Sequence, residues 1–327
     1  MRYGIATGIV WALETVLFAL ILSKSTFTES TFRIFLAPFV AAFINDFFSN
    51  LWLLLFRKTQ RRYKRASVVK VLKSRKGRLL ILSGLFGGPL GMSAYLLSIK
   101  YVGASYAAAF SALFPVIGSV IGWVFFREKL SKLQGIGVLI CTIGVLGMSG
   151  VTQGSPSNPI YLLFALSCAL FWGLEGVIAS YAMREGDISY EIALQIRHIT
   201  SIISYGVLFL PLLRAWDFTI IVFTDLRILP LLLFTALLET ASYLLYYKAF
   251  SVIGAPKAMS LNVTYIMWSI VFGAVIFQVY PKIHEIISAL VLMIGVILVA
   301  LFEGKRDKRD MNKINAPYAS KEGSEII

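Results

Sequence analysis

Apolar runs of about twenty residues, separated by short polar turns, recur from one end of this chain to the other. A helix of that length matches the hydrocarbon thickness of a bilayer. Ten spans are predicted, at approximately 4–23, 32–56, 79–99, 104–126, 133–150, 160–182, 190–213, 229–250, 256–278 and 284–302. Among the connections only 57–78 is long, and within it Ser67 to Leu72 reads as an amphipathic turn at the membrane surface. The stretch after Glu303 is polar throughout and reads as a disordered tail.

One short phrase occurs twice inside those spans. Trp11-Ala12-Leu13-Glu14 lies in the first and Trp172-Gly173-Leu174-Glu175 in the sixth. Further stretches follow in the same order. Ser93–Lys100 resembles Ala241–Lys248, Gly103-Ala104 resembles Gly254-Ala255, and Ile143-Gly144-Val145 resembles Ile294-Gly295-Val296. Two copies of five spans each put the second copy into the membrane from the opposite side, because five is odd. The expected fold is therefore an all-α membrane protein of ten transmembrane helices, built as two inverted five-helix repeats. The first repeat is placed at 1–150, the second at 151–303, and a cytoplasmic tail at 304–327.

Composition agrees with the pattern: 58% of the 327 residues are hydrophobic, only 15% are charged, and mean hydropathy is +0.78. The net charge of +14 raises the question of nucleic acid, but its placement answers otherwise. Arg57 to Arg78 holds eleven Lys or Arg and no acid, and the tail adds Lys305, Arg306, Lys308 and Arg309. Basic loops between spans mark the cytoplasmic side. Both termini are thus expected inside, in a multi-pass protein of the cytoplasmic membrane, with lipid as a partner and no nucleic acid. Cys141 and Cys168 lie in apolar runs and read as small buried hydrophobes. Gly84/Gly88 and Gly118/Gly122 have the spacing that lets helices approach, and Pro89 among glycines is a hinge candidate.

Carboxylates inside spans are costly and usually face a cavity. Four stand there: Glu14, Asp46, Glu175 and Glu239. The clear mid-span cation is Arg197, with His198 beside it, so Arg197 reads as a structural ion pair or gate. Aromatics accompany the acids. Trp11 and Trp172 are one turn from theirs, and Glu239, Tyr243 and Tyr246 share a helical face, flanked by Tyr247. Asn262 and Tyr265 share another face, beside Trp268. Rings around an acid bind a quaternary ammonium, which offers no hydrogen bonds but is drawn to ring faces. No Walker sequence, HExxH or G-x-S-x-G is present, so no ATP motor, metal hydrolase or elbow hydrolase is expected, and no cofactor or metal.

Together these features resemble the drug/metabolite transporter superfamily of the EamA type, over nearly the whole chain to about residue 303. Gly88-Pro89-Leu90-Gly91-Met92, Lys100–Ser105, Trp172–Glu175, Ile196-Arg197, Ser242-Tyr243, Tyr246-Tyr247 and Leu261–Tyr265 are similar, more narrowly, to bacterial choline permeases that feed phosphorylcholine decoration of cell-surface polymers. The resemblance implies a transporter, not an enzyme. It carries a choline-type cation held by Trp11, Trp172 and Glu175, with Asp46 and Tyr246 beside them. Glu14 and Glu239 depart from the pattern, which expects a small residue and an aspartate there. With the remaining residues named above, Glu14, Glu239, Tyr243, Asn262 and Tyr265, they make up the expected substrate site. A spare acid leaves room for proton coupling. The rival expectations are an amino-acid or metabolite exporter on the same fold, and a non-transporting scaffold or lipid flippase subunit.

Overall fold

The computed structural model describes residues 2–60, 65–102, 107, 110–126, 131–149, 159–184, 187–278 and 280–301. Among these the long elements are all helices. The first half contributes α1 (Arg2–Leu22), α2 (Ser25–Thr28), α3 (Thr31–Thr59), α4 (Arg65–Leu72), α5 (Arg75–Val102), α6 (Phe114–Phe126) and α7 (Lys132–Ser149). The second half contributes α8 (Leu162–Met183), α9 (Tyr190–Leu212), α10 (Trp216–Thr224), α11 (Leu229–Ile253), α12 (Ala255–Asn262), α13 (Tyr265–Phe277) and α14 (Ile283–Leu301). Seven of the described stretches are long and apolar enough to cross a membrane, with α12 and α13 counting as one. The expected tail at 304–327, the 154–158 stretch and Gly103 to Ser105 lie outside the described residues.

The molecule is inside out relative to a soluble protein. Large apolar side chains such as Leu139, Ile143, Val207 and Val275 are exposed. Glu14, Asp46, Glu175, Arg197, His198 and Glu239 are buried. Lipid on the outside rewards the first group, and partners on the inside satisfy the second.

The halves interlock by exchange. α1 packs on α11 and on α12–α13, while α8 packs on α5 and α6; α3 meets α9, and α7 meets α14. The α7–α14 contact is reciprocal at the residue level. A Cβ on Gly144 would lie 2.6 Å from the Leu292 backbone nitrogen, and one on Gly295 would lie 2.6 Å from that of Cys141. The same spacing separates Gly144 from Gly295 as separates Cys141 from Leu292, so one contact is the two-fold image of the other.

Small residues and hydroxyls hold the helices close. Thr7 Oγ1 donates to the Ser242 carbonyl at 2.9 Å, and Ser242 Oγ donates back to that of Thr7 at 3.2 Å, joining α1 to α11. Gly84 and Gly88 face α9, where added Cβ atoms would meet the Arg197 Cα at 2.9 Å and the Ser201 Oγ at 2.3 Å. Pro38 is accommodated within an unbroken α3. Pro89 instead sits in a widened i→i+5 turn over Phe86–Met92, where its missing N–H is absorbed.

One connection differs from the sequence reading. The stretch between the expected spans 190–213 and 229–250 contains a helix, α10, whose Phe218 packs edge-on against Phe27 of α2, centroids 5.8 Å apart. The turn after it is tied to the α1–α3 corner. Thr26 Oγ1 donates to Asp225 at 2.7 Å, and Arg227 donates from its backbone N at 3.0 Å and from Nε at 3.1 Å. These bonds, Thr26 first, hold the Asp225 carboxyl down to about 2.

Two outcomes follow from this packing. Gly84→Leu is expected to lower thermal stability in detergent, at a cost of about 1–3 kcal/mol for forcing α5 off the α9 backbone. Gly273→Ala, where nothing lies within 4 Å, is the control and is expected to leave the melting temperature in place. Asp225 is depressed below the ordinary aspartate value of about 4. Its contribution is therefore present above that value and lost as pH falls to about 2. The difference in stability between wild type and Asp225→Asn is expected at pH ~5 and absent at pH ~2.

Candidate functional site

Three carboxylates, one from each of α3, α8 and α11, converge on one guanidinium from α9. Arg197 NH1 is 2.7 Å from Asp46 Oδ1 and 3.2 Å from Glu239 Oε1, and Nε is 3.3 Å from Glu175 Oε1. NH2 donates to the Tyr243 hydroxyl at 2.8 Å. The guanidinium carbon also stands 4.0 Å from the centroid of the Tyr243 ring. Arg197 has no solvent exposure. A guanidinium suits such a place, because its planar fork serves several oxygens at once and it stacks on aromatic faces.

Each acid has a second support. Asp46 accepts from Ser201 Oγ at 2.5 Å and lies 2.9 Å from His198 Nδ1. Glu175 accepts from the Tyr247 hydroxyl at 2.9 Å. Glu239 accepts from Asn45 Nδ2 at 2.5 Å and Ser49 Oγ at 2.6 Å. Gly87 makes room for Glu175: a Cβ there would lie 2.0 Å from its carboxylate. Asp46, His198 and Glu239 also bring metal-ligand atoms within 4.8 Å of one another. Arg197 NH1 already occupies that cluster, at 2.7, 3.3 and 3.2 Å from the facing atoms of the three.

Glu14 stands apart. Its Oε1 lies 3.5 Å from Asn45 Nδ2, its Oε2 has no hydrogen-bond partner among the described residues, and it is not among the three carboxylates in ion-pair contact with Arg197. Four buried carboxylates therefore face one guanidinium and one imidazole. Even with both cations charged, the fully ionised set is in deficit of positive charge, which a proton or a bound cation must offset in a low-dielectric interior.

The aromatic group is real and closed. Trp11 and Trp172, the two copies of the repeated phrase, touch edge to face with centroids 5.3 Å apart and planes at 86°. Tyr243 packs on Trp11 at 5.1 Å, and Tyr95 on Trp172 at 4.9 Å. Trp172 Nε1 donates to the Gly87 carbonyl at 3.3 Å, whereas Trp11 Nε1 has no partner. The rings occupy the centre themselves, and the cation on Tyr243 is the chain's own arginine.

Most expected site residues meet here: Trp11, Asp46, Trp172, Glu175, Arg197, Glu239 and Tyr243. Tyr246 stands edge-on to Tyr243, centroids 6.3 Å apart, and packs on Phe250 at 4.2 Å, while Tyr247 takes the place beside Glu175. Asn262 and Tyr265 lie across α1. The Gly8 Cβ position is 2.9 Å from the Asn262 carbonyl, and the Tyr265 hydroxyl is 3.0 Å from Ser111 Oγ. The sequence reading missed Asn45, Ser49, Tyr95 and Ser201, and took Tyr247 only as a flank of the Glu239 face. Glu239, Tyr243 and Tyr247 are spaced i, i+4, i+8, and that stripe was the available signal for the last.

A bundle of membrane-spanning helices, with two exchange-related halves and a buried charged site where they meet, defines a polytopic membrane transporter. The chain belongs to the EamA-like transporter family, which it matches over residues 2–150 and 159–301. It is 36% identical over 228 residues to Protein LicB of Haemophilus influenzae, covering 69% of this chain and 76% of that one. It is 24% identical over 246 residues to the uncharacterized inner membrane transporter YicL of Salmonella typhimurium, covering 73% and 78%. One solved crystal structure aligns over 90% of this chain and 96% of its own, at 15% identity and TM-score 0.59, a likeness of fold alone.

Replacing Arg197 tests the charge bookkeeping. Arg197→Met is expected to cost about 3–5 kcal/mol, as removal of one partner from a buried ionic group does. Arg197→Lys is expected to restore only part, because a point charge cannot serve three carboxylates and a ring together. Thermal unfolding of the purified variants at neutral pH reads both.

Proposed function

We propose that this chain is a secondary transporter that imports choline or a related quaternary ammonium across the cytoplasmic membrane by alternating access. One observation carries the reading: Arg197 lies 4.0 Å over the Tyr243 ring with three carboxylates around it. The chain thus places its own cation in an aromatic and acidic site. An incoming ammonium satisfies the same demands when it displaces that guanidinium and parts Trp11 from Trp172. Each ring face adds roughly 0.5–2 kcal/mol. Glu175 and Glu239 supply counter-charge, and Asp46 retains His198 and Ser201 when Arg197 moves.

The stretches that resemble choline permeases support the substrate class, and the expected ten-span inverted repeat supports the motion. Two five-span halves, 1–150 and 151–303, rock about the contact between α1 and α8. Both termini face the cytoplasm in this scheme, with the basic 57–78 segment. An inside-negative potential favours cation entry by about 2.3 kcal/mol per charge per 100 mV. The unbalanced acids allow a proton to travel as well.

The test is uptake of radiolabelled choline into liposomes holding the purified protein, with an inside-negative potential. Wild type is expected to accumulate choline. Trp172→Ala is expected to reduce initial uptake by about tenfold or more, since it removes one ring and reshapes the cavity. Unchanged uptake in Trp172→Ala would sink the aromatic cage. Thermal stabilisation across choline, betaine, carnitine and aromatic amino acids ranks the candidate substrates independently.

A further inference from the structure

Among the described residues two helices are interrupted by a widened i→i+5 turn: α5 over Phe86–Met92 and α9 over Tyr205–Phe209. Helices bend at such turns, which are frequent at functional sites. α5 and α9 run side by side in the same direction. Lys76 meets Asp187 near their starts, Gly84 packs on Arg197 and Gly88 on Ser201, and the two turns then come level. One side chain joins them there. The Tyr205 hydroxyl lies 2.7 Å from Ser93 Oγ and 3.5 Å from the Pro89 carbonyl oxygen. Tyr205 is wholly buried, and its hydroxyl can accept from Ser93 while it donates to Pro89. A second helix reaches the α5 turn from the site: Trp172 Nε1 donates to the Gly87 carbonyl at 3.3 Å. The far side of the α9 turn is loose. Val207 and Leu208 are exposed, and a Cβ on Gly206 would find its nearest neighbour at 3.6 Å.

We propose that Tyr205 is a positioning residue that joins the two widened turns into one hinge, so that the segments beyond them, Ser93–Val102 of α5 and Leu210–Leu212 of α9, swing together during transport. The inference rests on the alternating-access reading above for the need to move, and not on which substrate is carried. Inside a bilayer a helix bends only where its backbone groups keep partners. Pro89 has no N–H to offer, so the α5 turn is already short of one ladder bond. The Tyr205 hydroxyl gives the Pro89 carbonyl a partner that belongs to α9. Bending α5 alone bares that carbonyl, and bending α9 alone withdraws the hydroxyl from Ser93 and Pro89 together. Moving both preserves the bonds. Trp172 supports the Gly87 carbonyl of the same turn, so a change in the pose of its ring reaches the hinge directly. The hydroxyls that support the charge cluster are those of Ser49, Ser201, Tyr243 and Tyr247, and Tyr205 is not among them. Its effect on transport is thus separable from binding.

The experiment follows amide hydrogen exchange, choline binding and choline uptake with the purified full-length protein. Tyr205→Phe keeps the ring and removes the hydroxyl. Exchange within 86–92 and within 205–209 is expected to rise together by about tenfold, the effect of one lost buried hydrogen bond on local opening, while exchange in α14 stays as in wild type. Choline binding is expected to stay within about twofold of wild type, whereas initial uptake into liposomes falls by about fivefold or more, as for a defect in a conformational step. Ser93→Ala removes the partner from the α5 side and is expected to act in the same way, and it decides the matter should Tyr205→Phe fail to fold. Exchange that rises only in the helix carrying the substitution, or in neither, overturns the inference. Uptake that is unchanged, or that falls only in proportion to binding, overturns it also. Should wild type bind no choline, the ammonium reading falls, and exchange in the two segments alone decides whether they form one hinge.

Discussion

A guanidinium without solvent contact, gripped by carboxylates from three helices, sets the terms for the rest of this molecule. Desolvating Arg197 alone would be prohibitive, and so would desolvating Asp46, Glu175 or Glu239 alone. Each is tolerable only while the others are in place. α3, α8, α9 and α11 are therefore held in one mutual arrangement by ionic contacts of 2.7 to 3.3 Å. In hydrocarbon there is no hydrophobic drive between helices, so such polar joints and close small-residue packing share that task. Gly84 and Gly88 bring α5 against the backbone and side chains of α9, and Gly87 clears the space that Glu175 fills. The glycine cluster around Pro89 thus serves the charge cluster directly.

That arrangement is not balanced in charge. The ionic set is in deficit of positive charge, and its aromatic neighbours are packed on one another instead of on a ligand. An external cation does not enter an empty hole under the reading proposed above. It exchanges with an internal cation that already holds the acids and the Tyr243 face. The displaced guanidinium stays within the protein under that reading, so the incoming charge adds to the set and offsets the deficit left by its acids.

Much of this was legible in the sequence because the membrane makes its demands locally. An apolar run of about twenty residues identifies a span with no knowledge of its neighbours. Glu14, Asp46, Glu175 and Glu239 stood out because ionisable groups are rare there. What escaped depends on rotation about a helix axis. Tyr246 and Tyr247 both lie near the Glu239–Tyr243 stripe, and only packing decides that Tyr247 reaches Glu175 while Tyr246 meets Phe250. Asn45 and Ser49 were missed because neutral polar residues are common in spans and announce no partner. α10 was missed because its first turn carries Asp217 amid a stretch bounded by Arg214 and Asp225, which reads as a loop. The ring contacts were invisible too: a sequence shows that aromatics are available, not that they close on one another.

The repeat explains why the two Trp-x-x-Glu phrases have unequal partners. In a two-fold arrangement, residues near the axis meet their own counterparts. Trp11 and Trp172 do so ring to ring. Asp46 and Arg197 are separated by the same spacing as Gly144 and Gly295, and they too are in contact, at 2.7 Å. Identical residues at that second position would put like charges together on the axis, which is costly in a low-dielectric interior. Opposite charges remove the conflict and at the same time break the symmetry. Once one half supplies the only guanidinium of the cluster, the acids nearest to it are neutralised and those on the far side are not. Glu175, on the neighbouring α8, falls on the served side, and Glu14, on α1, falls on the other. The inequality at the ends of the two phrases is thus a consequence of how the centre resolved its own charge.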